Sequence, residues 1–396
     1  MSGWLLLTWD GAGNQVPMTA LAQALGEAGH AVTIAGYAGQ RSRFEKAGFE
    51  KAGFEFRSLP RADAGYPAAP PPEGWLPALV GAVWVCPAQL ADVAELLADG
   101  AYDGVVADCL MFGALAGLEA SSVPTAVLVH SAPGALCPSG MPMDQMLLPA
   151  VNAVRAEAGR PALERLWDAW TPFPALCTSV RELDPLGDQV PASFDYVGPL
   201  FDRRAPSGRR TPWAPDDTRP LVVVSFSTGA AWDQTSRIQR TLDALDDGRH
   251  RVLVTSGMAD VTGVRVPSDA VVLPWLPHAE VLPHAAAIVT HAGHGTVAAA
   301  RSPTACRSSR CRTRGADQPA LAHRTAVLGA GVALDGETGP VGIAAAVRTV
   351  IEDPSYRAAA TALAGRVTAA PGPAYAVGRL ERLVRAPGRG GDASHS

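Results

Sequence analysis

The sequence predicts an α/β protein made of two similarly wound halves that face each other across a cleft. Three observations lead there. Through residues 1–200, short apolar runs alternate with helix-compatible stretches, as parallel strands joined by crossover helices require. Residues 201–217 break that rhythm with a patternless run rich in proline and charge, the texture of a linker between domains. From residue 221 the alternation resumes. At 396 residues with 47% hydrophobic content, the chain is too long for one typical domain and has enough apolar material for two cores.

In the first half, residues 5–9 read as a buried strand and residues 10–14 as a glycine-rich turn. A helix is expected over 17–28, because Pro17 suits a first helical turn and Gly29 suits a helix end. Further strands are expected at 31–37, 105–107 and 125–129. In the second half, the strands fall at 221–226, 251–255, 270–273 and 286–290. The domains are therefore 1–200 and 220–375, with a linker at 201–219. Residues 376–396 form a helix end and a polar, glycine-rich tail. Sheets of this kind bind ligands beyond the carboxyl ends of their strands, where the Asp10 turn and the segment after Thr290 both lie.

Composition narrows the function. The net charge is −5 and no basic run dominates a face, which disfavours nucleic-acid binding. The six cysteines show no paired spacing, so they read as reduced thiols, not as a disulfide framework or a zinc site. No secretory leader is apparent, and no apolar segment reads as long enough to span a bilayer. The expectation is a cytoplasmic protein without an integral membrane segment, and a homodimer is left open.

Chemistry concentrates in Thr290-His-Ala-Gly-His-Gly-Thr296. Glycines let a backbone approach a ligand closely, and a helix starting just after them, here expected from Val297, directs free N–H groups at it. That geometry suits a diphosphate, and His291 and Thr296 add side-chain donors for the charge on a leaving group. Upstream, Pro274-Trp-Leu-Pro-His278 offers an indole for stacking on a base. Downstream, Gly315-Ala-Asp-Gln-Pro319 offers an Asp-Gln pair for sugar hydroxyls.

Taken in order, these motifs resemble the nucleotide-sugar signature of the UDP-glycosyltransferase-like superfamily, and most closely its bacterial natural-product branch. The resemblance spans roughly residues 4–376, with 275–319 the specific portion. It implies the GT-B fold, in which two Rossmann-like domains face each other across a cleft. It also implies inverting transfer of a deoxysugar from a nucleoside diphosphate, with thymidine diphosphate favoured by the bacterial branch, to a hydrophobic small-molecule acceptor. By resemblance, the donor contacts are Ser227, Thr228, Trp275, Leu276, His278, His291, Gly293, His294, Gly295, Thr296, Asp317 and Gln318. No Asp-x-Asp pair is visible, so metal-independent transfer without a further cofactor is expected. Alternatives are a catalytically silent partner of the same fold, a lipid or cell-wall sugar transferase, or a sugar-nucleotide epimerase.

The chain departs from the family at the base. Where the family carries Gly-His-x-x-Pro, this sequence has Gly13-Asn14-Gln-Val-Pro17. An asparagine takes no proton at neutral pH, so Asn14 is expected only to orient an acceptor hydroxyl or a carboxylate. Asp108, at the end of the strand at 105–107, is the expected base, if partial burial raises its pKa toward neutrality. His130 and Asp10 are weaker candidates, and His130 reads as a core histidine. Trp75, Trp84, Trp167 and Trp170, with Met141, Met143 and Met146, read mostly as core. Some of them are expected to line an acceptor pocket.

Two stretches break pattern. Phe44-Glu-Lys-Ala-Gly48 is repeated at once as Phe49-Glu-Lys-Ala-Gly53, a short tandem duplication that a surface loop tolerates. Residues 301–314 are polar, basic and patternless where a turn and buried strand are expected. Codons permitted for this stretch, read two nucleotides later, allow Leu-Ala-His-Gly-Val-Pro-Leu-Val-Ala-Val-Pro, the turn and strand that the family carries. A compensated frameshift over residues 301–314 is therefore expected, the alternative being a genuine basic loop. Resequencing the gene is expected to return the apolar reading, and an intact in-frame sequence would exclude the frameshift.

Overall fold

A computed structural model describes residues 1–11, 13–46, 53–67, 75–137, 142–201, 213–214, 216–226, 234–300, 304–307 and 317–385. Its first half carries a seven-stranded sheet of order β3-β2-β1-β4-β5-β6-β7. The strands are β1 (Gly3–Leu7), β2 (Ala31–Gly36), β3 (Glu55–Ser58), β4 (Gly104–Asp108), β5 (Thr125–Val129), β6 (Ala175–Cys177) and β7 (Phe194–Tyr196). The second half carries a six-stranded sheet of order β10-β9-β8-β11-β12-β13. It is built from β8 (Leu221–Ser225), β9 (Arg251–Thr255), β10 (Ala270–Leu273), β11 (Ala287–Thr290), β12 (Thr304–Arg307) and β13 (Gly331–Leu334). Every ladder is parallel, so the carboxyl ends of all strands in a sheet share one edge.

Both faces of each sheet are buried, which is why the strands read as continuous apolar runs. In β1, Leu5 and Leu7 join the cluster with Val105, Phe112 and Trp170, while Trp4 and Leu6 join Met18, Leu21 and Leu25 on the opposite face. This is the two-residue alternation of a pleated strand. In β8, Val222 and Val224 pack with Ile238 and Leu242, and Leu221 and Val223 pack with Leu282 and Ile288. Each such aliphatic side chain contributes roughly 1.5–3 kcal/mol by leaving water. Trp84, Trp167 and Trp170 are core residues, whereas Met146 is exposed. Met141 and the side chains of Trp75 and Met143 lie outside the described residues.

Three expectations change. First, the polar run at 301–314 does supply a strand as it stands, because β12 runs between β11 and β13 with Ile288 opposite Thr304 and Arg307 opposite Leu334. Main-chain donors and acceptors belong to every non-proline residue, so a ladder closes on polar sequence too. Residues 301–303 and 308–314, and most of the Phe44–Gly53 repeat, lie outside the described residues. Second, a 23-residue helical stretch, Pro77–Asp99, reaches the length and hydropathy of a membrane span, contrary to the sequence expectation. It is interrupted between Trp84 and Ala88, and Val83, Trp84, Val93 and Leu96 pack into the sheet's core, which accounts for its apolar character.

The third change concerns the C-terminal segment. The helix Gly372–Arg385 returns to the first half, where Ala376, Val377 and Leu380 complete the cluster around Trp4 and Met18. Gly372 N–H donates to the Val197 carbonyl at 2.7 Å, and Arg379 pairs with Asp195 at 2.9 Å. Gly198 has φ +83°, and a Cβ there would collide with Ala370, so glycine is required for the crossing. Leu380 is 1% exposed. Leu380→Ala is expected to destabilise the first half by about 2–5 kcal/mol, read as a lower denaturation midpoint.

Candidate active site

The carboxyl edge of the first sheet is set by strand register. Leu7 of β1 lies beside Ala107 of β4, and Asp108 lies beside Leu128 of β5. Trp9, Asp108 and His130 therefore rise from three adjacent strand ends. Asp108 is fully buried and surrounded by donors. Its Oδ1 accepts from the Trp9 indole at 2.9 Å and from Leu110 N–H at 3.0 Å. Its Oδ2 meets His130 Nδ1 at 2.9 Å and accepts from Asn14 Nδ2 at 3.2 Å.

This geometry corrects the expectation for Asp108. Burial alone would raise its pKa, but the His130 charge and hydrogen bond, with the Leu110 N–H and Trp9 indole, hold the carboxyl below its usual range. A carboxylate so committed does not take an acceptor's proton at neutral pH. His130 moves the other way: burial opposes its charge, but Asp108 and Cys109 raise its pKa well above the ordinary imidazole value.

Asn14 is also buried, and its side chain is fully engaged. Its Nδ2 donates to the Trp9 carbonyl at 3.0 Å and to Asp108, while its Oδ1 accepts from Gly11 N–H at 3.0 Å. A Cβ on Gly11 would lie 2.7 Å from that oxygen, so the tight turn needs glycine there. Asp10 accepts from Gln15 at 3.0 Å.

Cys109, Asp108 and His130 place a potential ligand atom each within 4.8 Å of one another, a grouping the sequence spacing hides. These atoms are engaged with one another. His130 Nδ1 bonds Asp108 and lies 3.5 Å from Cys109 Sγ, and burial pushes the thiol up to about 11, so it stays protonated. The fit is to a hydrogen-bonded triad, not to a metal cage.

The carboxyl edge of the second sheet is formed where Ser225, Thr255, Leu273 and Thr290 end their strands in register. Thr255 Oγ1 donates to Ser225 Oγ at 2.9 Å, and Ser225 Oγ meets His278 Nε2 at 3.1 Å. Ser227 and Thr228 follow β8 but lie outside the described residues. After β11 the chain turns sharply, with buried Ala292 at φ 66°, a strained conformation for a residue with a Cβ. The following helix begins at His294, three residues before the expected Val297. Gly293 caps it, and a Cβ there would meet His291 Nε2 at 2.6 Å, so glycine allows the imidazole to fold over the loop.

Among the described residues, His291 Nδ1 and His294 Nε2 are buried without a partner, so both are available to a ligand. Burial, with Arg237 nearby, pulls His291 down to about 4, and burial with the His130 charge does the same to His294. Both are neutral imidazoles that donate or accept hydrogen bonds without carrying charge. Burial also lowers His278. Thr296 is buried, Gly295 is exposed, and the Trp275 ring is 43% exposed. Leu276 packs against the second sheet's core.

The two edges meet directly. Ser131 Oγ donates to Asp317 Oδ2 at 2.6 Å. Asp317 precedes the helix Gln318–Val327, but its side chain makes no capping bond and points into the cleft instead. Burial raises its pKa against the opposing pull of Ser131 and His130. Val180 and Leu183 pack against Ala292 and Val297, and Ala132 and Ala135 pack against Leu321. Sequence reasoning missed Trp9, Ser131, Cys109 and Arg237. Trp9 and Ser131 each stand two residues beyond a strand, so the strand-end rule was the signal for them; Arg237 had none.

Residues 239–383 match the family described as Erythromycin biosynthesis protein CIII-like, C-terminal domain. The chain is 27% identical to 4'-demethylrebeccamycin synthase of Lentzea aerocolonigenes, over 96% of this chain and 99% of that protein. Its fold is similar to CalG4, the calicheamicin glycosyltransferase (TM-score 0.74, 20% identity, covering 98% of this chain and 100% of the other). It is also similar to the glycosyltransferase VinC in complex with dTDP (TM-score 0.69, 18% identity, covering 97% and 100%).

The buried imidazoles set an acid limit on stability. His291 and His294 sit at about 4 when folded, against 6.5 as the ordinary value. Between those values the unfolded chain binds more protons, so stability is lost as pH falls from about 6.5 to about 4. Asp108 adds its own loss below that window, and His130 acts above it. Glutamine at 291 or 294 is expected to flatten the loss, measured as denaturation midpoints across the window. An unchanged slope would show that these rings do not titrate on unfolding.

Proposed function

Because the chain belongs to the UDP-glycosyltransferase-like superfamily, with the GT-B fold, we propose that it transfers a deoxyhexose from a thymidine diphosphate sugar to a hydrophobic natural-product acceptor, with inversion at the anomeric carbon. Support comes from the antibiotic-pathway relatives, from the dTDP-bound neighbour and from the site's chemistry. One observation carries it: among the described residues, two histidines on a glycine-rich turn each keep one buried ring nitrogen without a partner at one strand edge, and a buried Asp–His pair stands at the other. The Ser131–Asp317 bond holds those two edges together.

In this reading the diphosphate lies on the turn after β11. There His291, His294 and Thr296 donate to its oxygens, and Arg237 supplies positive potential nearby. The Trp275 ring stacks on the base. Asp317 and Gln318 bond sugar hydroxyls, and Ser225 and His278 hold the loop from the β8 side. The departing charge is stabilised by these donors, so no metal and no further cofactor is required. The acceptor enters from the first half, over Trp9. Asparagine at position 14 removes the family's usual imidazole, but with His130 beside Asp108 the acceptor edge still holds a titratable base.

Calorimetry with dTDP and UDP tests the donor. Tighter binding of dTDP is expected, and His291→Ala is expected to weaken it by roughly 10–100-fold, the value of a hydrogen bond to a charged group. An anomeric configuration opposite to the donor's, read by NMR of the product and unaffected by EDTA, is expected. Absence of nucleotide binding would return the silent-partner reading.

A further inference from the structure

We propose that His130 is the catalytic base of this transferase, and that Asp108 and Asn14 are its positioning residues. The assignment rests on the glycosyl-transfer reading above and goes beyond it by naming a residue outside the Asn14 position. Three observations carry it. The first is orientation. His130 Nδ1 faces Asp108 Oδ2 at 2.9 Å, and once the ring is deprotonated a carboxylate in that position keeps the remaining proton on Nδ1 and leaves the Nε2 lone pair for another partner. Among the described residues, Nε2 forms no hydrogen bond.

The second is placement. His130 follows β5 at the carboxyl edge, next to the Ser131 that bonds Asp317. It acts electrostatically on both His294 and Asp317 of the donor half. It keeps 12% of its side chain accessible, whereas Asp108 keeps none. The imidazole is thus the member of the pair that an acceptor can reach. The third is support. Trp9, Leu110 and Asn14 all donate to Asp108, so the carboxylate stays ionised and aimed. Asn14 holds a carboxylate with an amide N–H where a second imidazole would compete with His130.

The step balances without a co-reactant. The acceptor hydroxyl oxygen attacks the anomeric carbon and its proton passes to His130 Nε2. The bond from that carbon to the diphosphate oxygen breaks, and the nucleoside diphosphate leaves with the electron pair. Asp108 stabilises the resulting imidazolium, which then releases its proton to solvent. The groups facing the imidazole are Asp108 and Cys109 from β4 and the loop after it, and His294 and Asp317 from the donor half. The two carboxyls attract its charge, and His294 is neutral.

The test follows transfer from dTDP-glucose to 4-methylumbelliferone across about pH 6 to 9, with dTDP affinity measured in parallel. Wild-type kcat is expected to rise with pH through an apparent pKa above the free-imidazole value. His130→Gln is expected to lower kcat by about 10²–10⁴-fold and to abolish that rise, with dTDP affinity unchanged. In Asp108→Asn, burial is left without the opposing charge, so the rise is expected to move to lower pH; a purely structural role would not move it. A His130→Gln enzyme with wild-type turnover and pH profile would overturn the assignment while leaving the donor reading intact. Activity lost on EDTA dialysis and restored by zinc would overturn it in favour of a metal at Asp108, Cys109 and His130. A wild-type chain that binds no dTDP would overturn the donor reading, and with it this assignment.

Discussion

The arrangement of the cleft depends on one buried carboxylate. Asp108 ends a central strand with no solvent contact, and an ion placed there without partners would cost several kcal/mol. The chain meets that cost with two side-chain N–H groups, one backbone N–H and an imidazole. Each donor comes from a different segment: the end of β1, the start of the first helix, the turn after β4 and the end of β5. The carboxylate thereby fixes four loops relative to one another, and these loops form the edge over which the proposed acceptor would enter. Removing it would free the loops as well as neutralise a charge, so a residue of this kind is at once structural and functional.

The donor edge solves the opposite problem. In the proposed reading it receives a multiply charged diphosphate, yet among the described residues the turn carries imidazoles and no fixed positive charge. Burial keeps His291 and His294 neutral, and the ring nitrogen that each leaves without a partner among the described residues stores hydrogen-bonding capacity for a ligand or water. The strained Ala292 and the space that Gly293 leaves for His291 hold the rings in place before binding. Preorganised dipoles in a dry site stabilise developing charge without reorganising, which suits a group that becomes more negative as its bond to the sugar breaks.

Much of this was legible in the sequence, and what was not has physical causes. Periodicity located β1, β2, β4, β5 and β8 to β11 because both faces of each sheet are buried, which makes these strands largely apolar, whereas the short or more polar β3, β6, β7 and β13 carried too weak a pattern. The donor turn was legible because its glycines and histidines are contiguous. The Asp108–His130 pair was not, because it joins residues 22 apart through strand register, and a lone histidine after an apolar run looks like core. The direction of the Asp108 shift was misjudged for the same reason: burial is visible in a sequence, but four converging donors are not. The return of Gly372–Arg385 to the first half was hidden because an amphipathic helix does not announce which core it completes. Ser227 and Thr228 remain as the resemblance implies them.

The two halves are tied by a contact that substrate would have to share. Asp317 is the residue expected to hold sugar hydroxyls, and it already accepts a hydrogen bond from Ser131 across the cleft. A carboxylate has about four lone-pair sites, so sugar can join this bond or displace it. If sugar joins, the donor is gripped by a carboxylate that the acceptor half also holds, and closure is reinforced. If sugar displaces it, donor binding releases Ser131 and loosens the halves beside His130. Either way, occupancy of the donor edge is felt one residue from the imidazole on the acceptor edge. Because Gly372–Arg385 also runs from the second half into the first half's core, the halves cannot separate freely when that bond is lost. The cleft is thus coupled on two sides, by a small polar switch at its centre and by an apolar anchor behind the sheet.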